Sequence, residues 1–198
     1  MGKESELKLL HLSWNDVQSL VETLADLINE SGYHPDLITA VSRGGFCPAR
    51  MLCDYLDMRK LASLQVEYYT DINAVSNAPR IVFPLNSDVP GKRVLLVDDV
   101  SDSGTSLEAA NEHVLSHGAS EVRIATLHIK PWSRLRPEYA ASETDRWVVY
   151  PWEKVESVIS ITNMLMKSGL SEAGVVQKLE ELGFDPGTIR YYMKKSHP

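Results

Sequence analysis

The fold of this chain is decided by residues 93–106, which read RVLLVDDVSDSGTS. The apolar run 93–97 predicts a central strand that is buried on both faces of a parallel sheet. Residues 98–104 predict a loop, and the residues after them predict a helix that ends near Gly118. In an open α/β sheet, ligands bind beyond the carboxyl ends of the strands. The loop is therefore predicted to form a binding site.

This loop combines groups that attract an anion with groups that repel one. The backbone N–H groups at a helix start attract anions, and Gly104 lets a ligand come close to the backbone. Three hydroxyl side chains lie around the same point: Ser103, Thr105 and Ser106. Three carboxylates lie beside them: Asp98, Asp99 and Asp102. Because carboxylates bind sugar hydroxyls and hold Mg²⁺ that bridges to phosphate, a ligand with both a sugar diol and phosphates fits best.

Three other phosphate or metal motifs do not match this segment. An EF-hand loop needs an oxygen ligand where Val100 stands. The Gly-Lys-Ser/Thr of a Walker A loop is absent from the chain, and so is the Gly-x-Gly-x-x-Gly of a dinucleotide-binding turn.

A second candidate binding loop reads Ser42, Arg43, Gly44 and Gly45. It follows the apolar run 37–41, which predicts a buried strand, and it precedes a predicted helix that continues to Leu56. The two glycines permit unusual dihedral angles and expose N–H groups, and the arginine adds positive charge. Taken alone, a Ser-Arg-Gly-Gly turn is equally compatible with a plain strand–helix connection.

A third signal follows the strand predicted for residues 122–129. Lys130 ends that strand, and the segment 145–153, DRWVVYPWE, comes shortly after it. A lysine side chain has only hydrogen-bond donors, so it selects an acceptor on its ligand. In isolation, Lys130 also fits a solvated strand end and Trp147 also fits a core position.

The remaining pattern predicts strands that alternate with helices, and hence an α/β fold with a parallel sheet. An amino-terminal helix is predicted from its cap at Ser13 to Gly32, and a strand covers Leu64, Val66 and Tyr68. Residues 70–79 are polar and turn-rich and predict a mobile loop. A short strand is predicted at 147–150. The last ~40 residues predict two or three short helices and no strand.

Composition restricts the class of function. The net charge of −7 argues against sequence-independent nucleic-acid binding, which needs a basic face. The two cysteines, Cys47 and Cys53, match neither a disulfide framework nor a zinc site. The sequence contains no apolar run of membrane-spanning length, and its acidic start is unlike a signal peptide. We therefore predict a cytoplasmic protein that does not associate with membranes.

Residues 97–106 resemble the signature with which type I phosphoribosyltransferases bind phosphoribosyl pyrophosphate (PRPP). That signature has an apolar strand, two acids, two spacers and then Asp-Thr-Gly-x-Thr. Here the last part reads DSGTS, so serine replaces both threonines and the hydroxyls are kept. The resemblance spans about residues 36–153. It implies the family's fold, a central and mainly parallel sheet flanked by helices, here with a small helical appendage at the carboxyl end.

The resemblance also implies how PRPP would be bound. The loop Ser42–Gly45 would grip pyrophosphate, and the turn Asp102–Ser106 would hold the 5′-phosphate. Asp98 and Asp99 would bind the ribose hydroxyls and lie next to Mg²⁺. Arg80, beside the predicted mobile loop, is a looser candidate for a pyrophosphate contact.

The pairing of Lys130 with the segment 145–153 resembles the branch of the family that uses the 6-oxopurines guanine, hypoxanthine and xanthine. It implies that Lys130 donates to the purine O6, that Trp147 stacks on the base and that the Val148 backbone reads its far edge. Asp102 would accept the proton of the base's N7. The family also implies a homodimer or homotetramer.

Two alternatives stay open at this point. The chain could be a PRPP-sensing regulator whose helical tail binds nucleic acid, with residues 189–195 as a partly basic helix. It could also be a phosphoribosyltransferase for another base, such as adenine, orotate or nicotinate. The predicted domain organisation is a phosphoribosyltransferase domain over 1–158 and a helical extension over 159–198.

Overall fold

A six-stranded sheet forms the centre of the larger of two compact units. The structure is a computed structural model that describes residues 7–68 and 78–196. The larger unit holds residues 17–145, and the smaller unit holds the described residues before and after that range.

The elements are numbered in chain order. The strands are β1 (Leu9–His11), β2 (Leu37–Ser42), β3 (Leu61–Tyr68), β4 (Pro79–Phe83), β5 (Arg93–Ser101), β6 (Glu121–Ile129), β7 (Tyr139–Glu143) and β8 (Trp147–Val149). The helices are α1 (Trp14–Glu30), α2 (Phe46–Tyr55), α3 (Thr105–Ser116), α4 (Lys154–Lys167), α5 (Glu172–Glu181) and α6 (Pro186–Ser196).

The sheet of the larger unit has the order β4-β3-β2-β5-β6-β7. Only β4 runs antiparallel to its neighbour; the other pairings are parallel. From β2 the chain moves to one side of the sheet through β3, and from β5 it moves to the other side through β6. The strand order therefore reverses between β2 and β5, and the carboxyl ends of these two strands flank the place where such sheets bind ligands.

The core of the larger unit follows from the apolar runs of its central strands. Residues Val94 to Val97 of β5 have no exposed surface, as expected for a strand that is covered on both faces. Helix α3 packs one apolar side, Leu107 with Ala110 and Val114, against sheet residues such as Leu96. Helix α2 contacts β2 and β5. The predicted fold class, a mainly parallel sheet flanked by helices, is confirmed.

Some predicted boundaries were wrong. The strand β5 was predicted to end at residue 97, but it continues to Ser101 and includes Asp98 and Asp99. The strand is longer because β6 pairs with this stretch, with Asp98 opposite Thr126. Pro79, predicted to lie in a loop, begins β4, where an edge strand tolerates proline. Residues 70–77 of that loop lie outside the described residues.

The smaller unit pairs β1 with β8 in parallel and surrounds its own core with α4, α5 and α6. Side chains cap the last two helices: the Ser171 hydroxyl accepts from the Gly174 N–H, and the Asp185 carboxylate accepts from the Thr188 N–H. Gly183 has a φ of 89°, which suits the turn between them. Across the described ranges, no helix is both long and apolar enough to span a bilayer. The alternative in which this tail binds nucleic acid is not tested by the fold.

Candidate functional site

Two loops meet where the strand order of the sheet reverses. The first follows β2 and the second follows β5. A Cβ atom at Gly45 would overlap the carbonyl oxygens of Val41 and Val97, and one at Gly44 would overlap the carboxylate of Asp99. Only residues without a side chain let the two loops come this close. The β2 loop and the acidic end of β5 therefore form one site.

The β2 loop lines a cavity of about 560 Å³. The Ser42 hydroxyl donates to the Leu64 carbonyl at 2.8 Å, and the Ser42–Arg43 peptide bond is cis. The cavity is lined by Ser42, Arg43, Gln65, Val66, Glu67 and Ser106. Because Ser106 belongs to the second loop, the cavity reaches from one predicted phosphate loop to the other.

The two carboxylates at the acidic end of β5 lie on different faces of the sheet. Successive residues of a strand point to opposite faces, so Asp98 and Asp99 point to opposite faces of the sheet. The Asp99 N–H donates to Oδ1 of Asp98 at 2.9 Å. The Asp99 side chain is only 7% exposed and lies against Gly44 of the first loop. A carboxylate thus lies directly beside the loop that is predicted to hold pyrophosphate.

The turn after β5 has the features of an anion site. Gly104 adopts a φ of 86° and caps the start of α3, so the first N–H groups of that helix point toward the turn. A side chain at Gly104 would overlap the backbone nitrogen of Leu135. The hydroxyls of Ser103 and Thr105 lie 2.8 Å apart and hydrogen-bond to each other. The turn offers helix N–H groups and hydroxyls to one ligand group.

Lys130 lies buried at the end of the next strand, with 6% of its surface exposed. Its backbone N–H donates to the Ser101 carbonyl at 3.0 Å, which places it beside the end of β5. Burial lowers the pKa of the Lys130 ammonium, and the nearby carboxylates of Asp102 and Asp145 oppose that shift. A buried ammonium with donors only is suited to bind an acceptor on a ligand.

Several residues around the site were not predicted. The segment after Lys130 folds onto the turn: the hydroxyls of Ser101 and Ser133 lie 2.8 Å apart, and the indole of Trp132 donates to Asp102 at 2.9 Å. Gln65 and Glu67 line the cavity from β3. Their alternation with apolar residues in β3 could have identified them as one polar face.

The predicted site residues divide between the two units. The larger unit brings together the loops Ser42–Gly45 and Asp98–Ser106 with Lys130. Arg80 is exposed on β4 and lies opposite Glu67 in the strand pairing. Trp147 and Val148 belong to the smaller unit, where they form part of β8; the indole is 38% exposed and the valine is 6% exposed.

The donor set fits a hard divalent cation such as Mg²⁺. Mg²⁺ binds through one or two carboxylates and takes its other ligands from water and substrate phosphates. Asp99 supplies a carboxylate beside Gly44 of the first loop, and Asp98 is its neighbour in β5. Within residues 7–68 and 78–196, no cluster of three or more His, Cys, Asp or Glu side chains could hold a metal on its own.

Comparison with protein families and curated proteins gives one consistent result. The model of the family described as "Phosphoribosyl transferase domain" matches residues 13–157. The hypoxanthine-guanine phosphoribosyltransferase of Saccharomyces cerevisiae is 28% identical, over 80% of this chain and 91% of that protein. The xanthine-guanine phosphoribosyltransferase of Gluconobacter oxydans is 29% identical, over 59% of this chain and 67% of that protein.

Two solved structures resemble the fold of this chain. The crystal structure of a purine phosphoribosyltransferase from Pyrococcus horikoshii Ot3 has a TM-score of 0.67 and 38% identity, and it covers 74% of this chain and 94% of its own. A protein from Neisseria gonorrhoeae with bound ppGpp has a TM-score of 0.68 and 28% identity, covering 76% of this chain and 92% of its own.

Proposed function

The chain belongs to the phosphoribosyl transferase domain family, and we propose that it transfers ribose 5-phosphate from PRPP to a 6-oxopurine. The products are the nucleoside 5′-monophosphate and pyrophosphate. The bases in question are guanine, hypoxanthine and xanthine, the substrates named for its relatives. This is the chemistry of purine salvage.

Each phosphate group of PRPP has a loop that suits it. The pyrophosphate group fits the loop Ser42–Gly45, where the exposed Arg43 side chain carries complementary charge and borders the cavity. The 5′-phosphate fits the turn Asp102–Ser106 at the start of α3. The ribose hydroxyls lie between these groups and donate to Asp98 and Asp99. Arg80 is proposed as a further pyrophosphate contact from β4.

The base is recognised through its 6-oxo group. The buried Lys130 ammonium donates to O6, whereas the 6-amino group of adenine would place a buried donor against a donor. Trp147 is proposed to stack on the purine, and the Val148 backbone to bind its far edge. This assignment predicts strong discrimination between 6-oxopurines and adenine.

The chemical step exchanges one bond at C1′ for another. The bond from C1′ to the pyrophosphate oxygen breaks with its electron pair, and a bond from C1′ to N9 of the purine forms. The proton on N7 moves to the carboxylate of Asp102. Asp98 and Asp99, together with the substrate, would hold Mg²⁺, which would supply positive charge to offset that of the departing pyrophosphate. The protein otherwise contributes orientation and charge stabilisation.

One observation carries this proposal: the acidic end of β5 and the buried Lys130 lie side by side at neighbouring strand ends. The test is pyrophosphate release with PRPP and Mg²⁺, measured with guanine, hypoxanthine and xanthine. Adenine, orotate and nicotinate serve as controls. We expect turnover with 6-oxopurines only.

If only adenine or orotate were used, the proposed base would be wrong, but the proposed phosphoribosyl transfer would stand. No turnover with any base, together with a salt-dependent shift of DNA on a gel, would favour the regulatory alternative instead. The expected homodimer or homotetramer stays a prediction, for which light scattering is the measurement.

A further inference from the structure

Trp132 joins the two residues that the proposed reaction uses on its base side. Its indole Nε1–H donates to Oδ1 of Asp102 at 2.9 Å. The Lys130 Nζ lies 5.5 Å from the centre of the indole ring, within the range of a cation–π contact. One side chain therefore contacts both the proposed proton acceptor and the proposed O6 donor.

The indole is unusually exposed for such a large apolar group, at 57%. An indole N–H can only donate, so it binds a carboxylate through one oxygen and leaves the other available. Asp102 is itself exposed, and an exposed carboxylate would otherwise rotate freely between its rotamers. The Trp132 hydrogen bond restricts that rotation and leaves the second oxygen outside the contact with the indole.

The backbone that carries Trp132 is held against the turn of Asp102. The Arg134 N–H donates to the Ser103 carbonyl at 3.1 Å, and the Ser133 N–H donates to the Lys130 carbonyl at 3.0 Å. The Ser133 hydroxyl also lies 2.8 Å from that of Ser101. These contacts hold the Trp132 backbone close to the turn of Asp102.

We propose that Trp132 is a positioning residue: it holds Asp102 through Oδ1 so that Oδ2 meets the N7 proton of the purine. The inference rests on the proposed function, in which Asp102 accepts that proton. Trp132 does not touch the reacting atoms in this scheme. Its effect on turnover passes entirely through Asp102.

The test is a double-mutant cycle with Trp132→Phe, which keeps an aromatic ring beside Lys130 but removes the N–H. We expect kcat to fall about tenfold, as for loss of a hydrogen bond to a charged group, with an unchanged KM for PRPP. In an Asp102→Asn background, which has no proton acceptor to orient, the same change should have no further effect. Additive effects, or an unchanged kcat in the single variant, would overturn the proposal.

The control is Trp14→Phe, which alters another exposed indole, at 55%, in the smaller unit. We expect its kcat to equal that of the wild type. If it falls as far as that of Trp132→Phe, loss of any exposed indole lowers turnover and the positioning role is wrong.

A second measurement does not depend on activity. The chain has four tryptophans, so ¹⁵N-labelled protein gives four indole N–H resonances, and Trp132→Phe identifies one of them. That resonance should move when Asp102→Asn removes the carboxylate charge; if it does not move, the contact is wrong. The two failures can be told apart. If the wild-type protein is inactive with every base but this resonance moves, the proposed function is wrong, and the contact between Trp132 and Asp102 exists without a catalytic role.

Discussion

The two ends of the central sheet use charged side chains in opposite ways. At the amino end, two arginines pair with carboxylates: Arg93 donates to both carboxylate oxygens of Asp36, and Arg123 pairs with Glu121 at 2.7 Å. At the carboxyl end, three carboxylates lie within five residues, Asp98 to Asp102, and the buried ammonium of Lys130 lies on the next strand. Like charges gathered at one strand end repel one another, and a cationic or hydroxyl-bearing ligand would relieve that repulsion. The amino end thus stabilises the fold, and the carboxyl end is arranged for a ligand.

This contrast predicts that changes at the carboxyl end affect turnover and not stability, whereas changes at the amino end do the reverse. The strongest test is Asp102→Asn. Asparagine keeps the shape and an acceptor for the Trp132 indole, but it cannot take up the N7 proton. We expect kcat to fall about a hundred- to ten-thousand-fold, with PRPP binding and the Tm unchanged. Steady-state kinetics and calorimetric titration of PRPP measure the two effects, and full activity would remove Asp102 from the chemistry.

Lys130→Met should have the next largest effect. The variant keeps the apolar stem and loses the donor to O6, so KM for guanine and hypoxanthine should rise about ten- to a hundredfold. Because burial disfavours the ammonium, as its lowered pKa indicates, the Tm should not fall. Lys92→Met, at the amino end of the sheet, is the matched control and should leave purine kinetics unchanged. Equal effects in both variants would contradict the base assignment.

Arg123→Leu tests the amino end. The guanidinium lies 4.3 Å from the centre of the Tyr33 ring and donates to the Tyr139 hydroxyl at 2.8 Å. Removing these contacts should lower the free energy of unfolding by about 1 kcal/mol, measured by urea denaturation. The values of kcat and KM should not change. A loss of turnover that exceeds the loss of folded protein would show that the two ends are not independent.

Asp36→Asn should have the smallest effect, and that effect depends on pH. Arg93 lowers the pKa of Asp36 from 3.8 to about 2 through hydrogen bonds to its carboxylate. A lowered folded-state pKa stabilises the protein above the unfolded value and ceases to do so as pH falls through the folded value. The stability difference between wild type and variant should therefore be full at pH 7, shrink below about pH 4 and vanish near pH 2. A difference that stays constant across this range would rule out the pairing as its cause.

The sequence predicted the main strands and helices of the larger unit because their patterns are local. The run before Asp98 and the spacing of Val17, Val21 and Leu24 in α1 each specify an element without reference to the rest of the chain. β1, β4 and β7 were missed. β1 has only three residues, and β7 reads YAASE, which carries no apolar alternation. These strands form because a neighbouring strand supplies hydrogen-bond partners. The periodicity of a short segment contains no information about that neighbour.

What the sequence determined alone is the chemistry of the turn that ends β5. Its acids, hydroxyls and Gly104 are adjacent in the chain, so their proximity needs no folding partner, and the helix start that follows them comes from local pattern. Tertiary structure decided which distant residues join this turn. The order of β2 beside β5 brings Gly44 onto Asp99, and the fold of the segment after β6 brings Trp132 onto Asp102. Such contacts depend on which strands pair, and strand pairing is settled by burial of the whole core and not by any one segment.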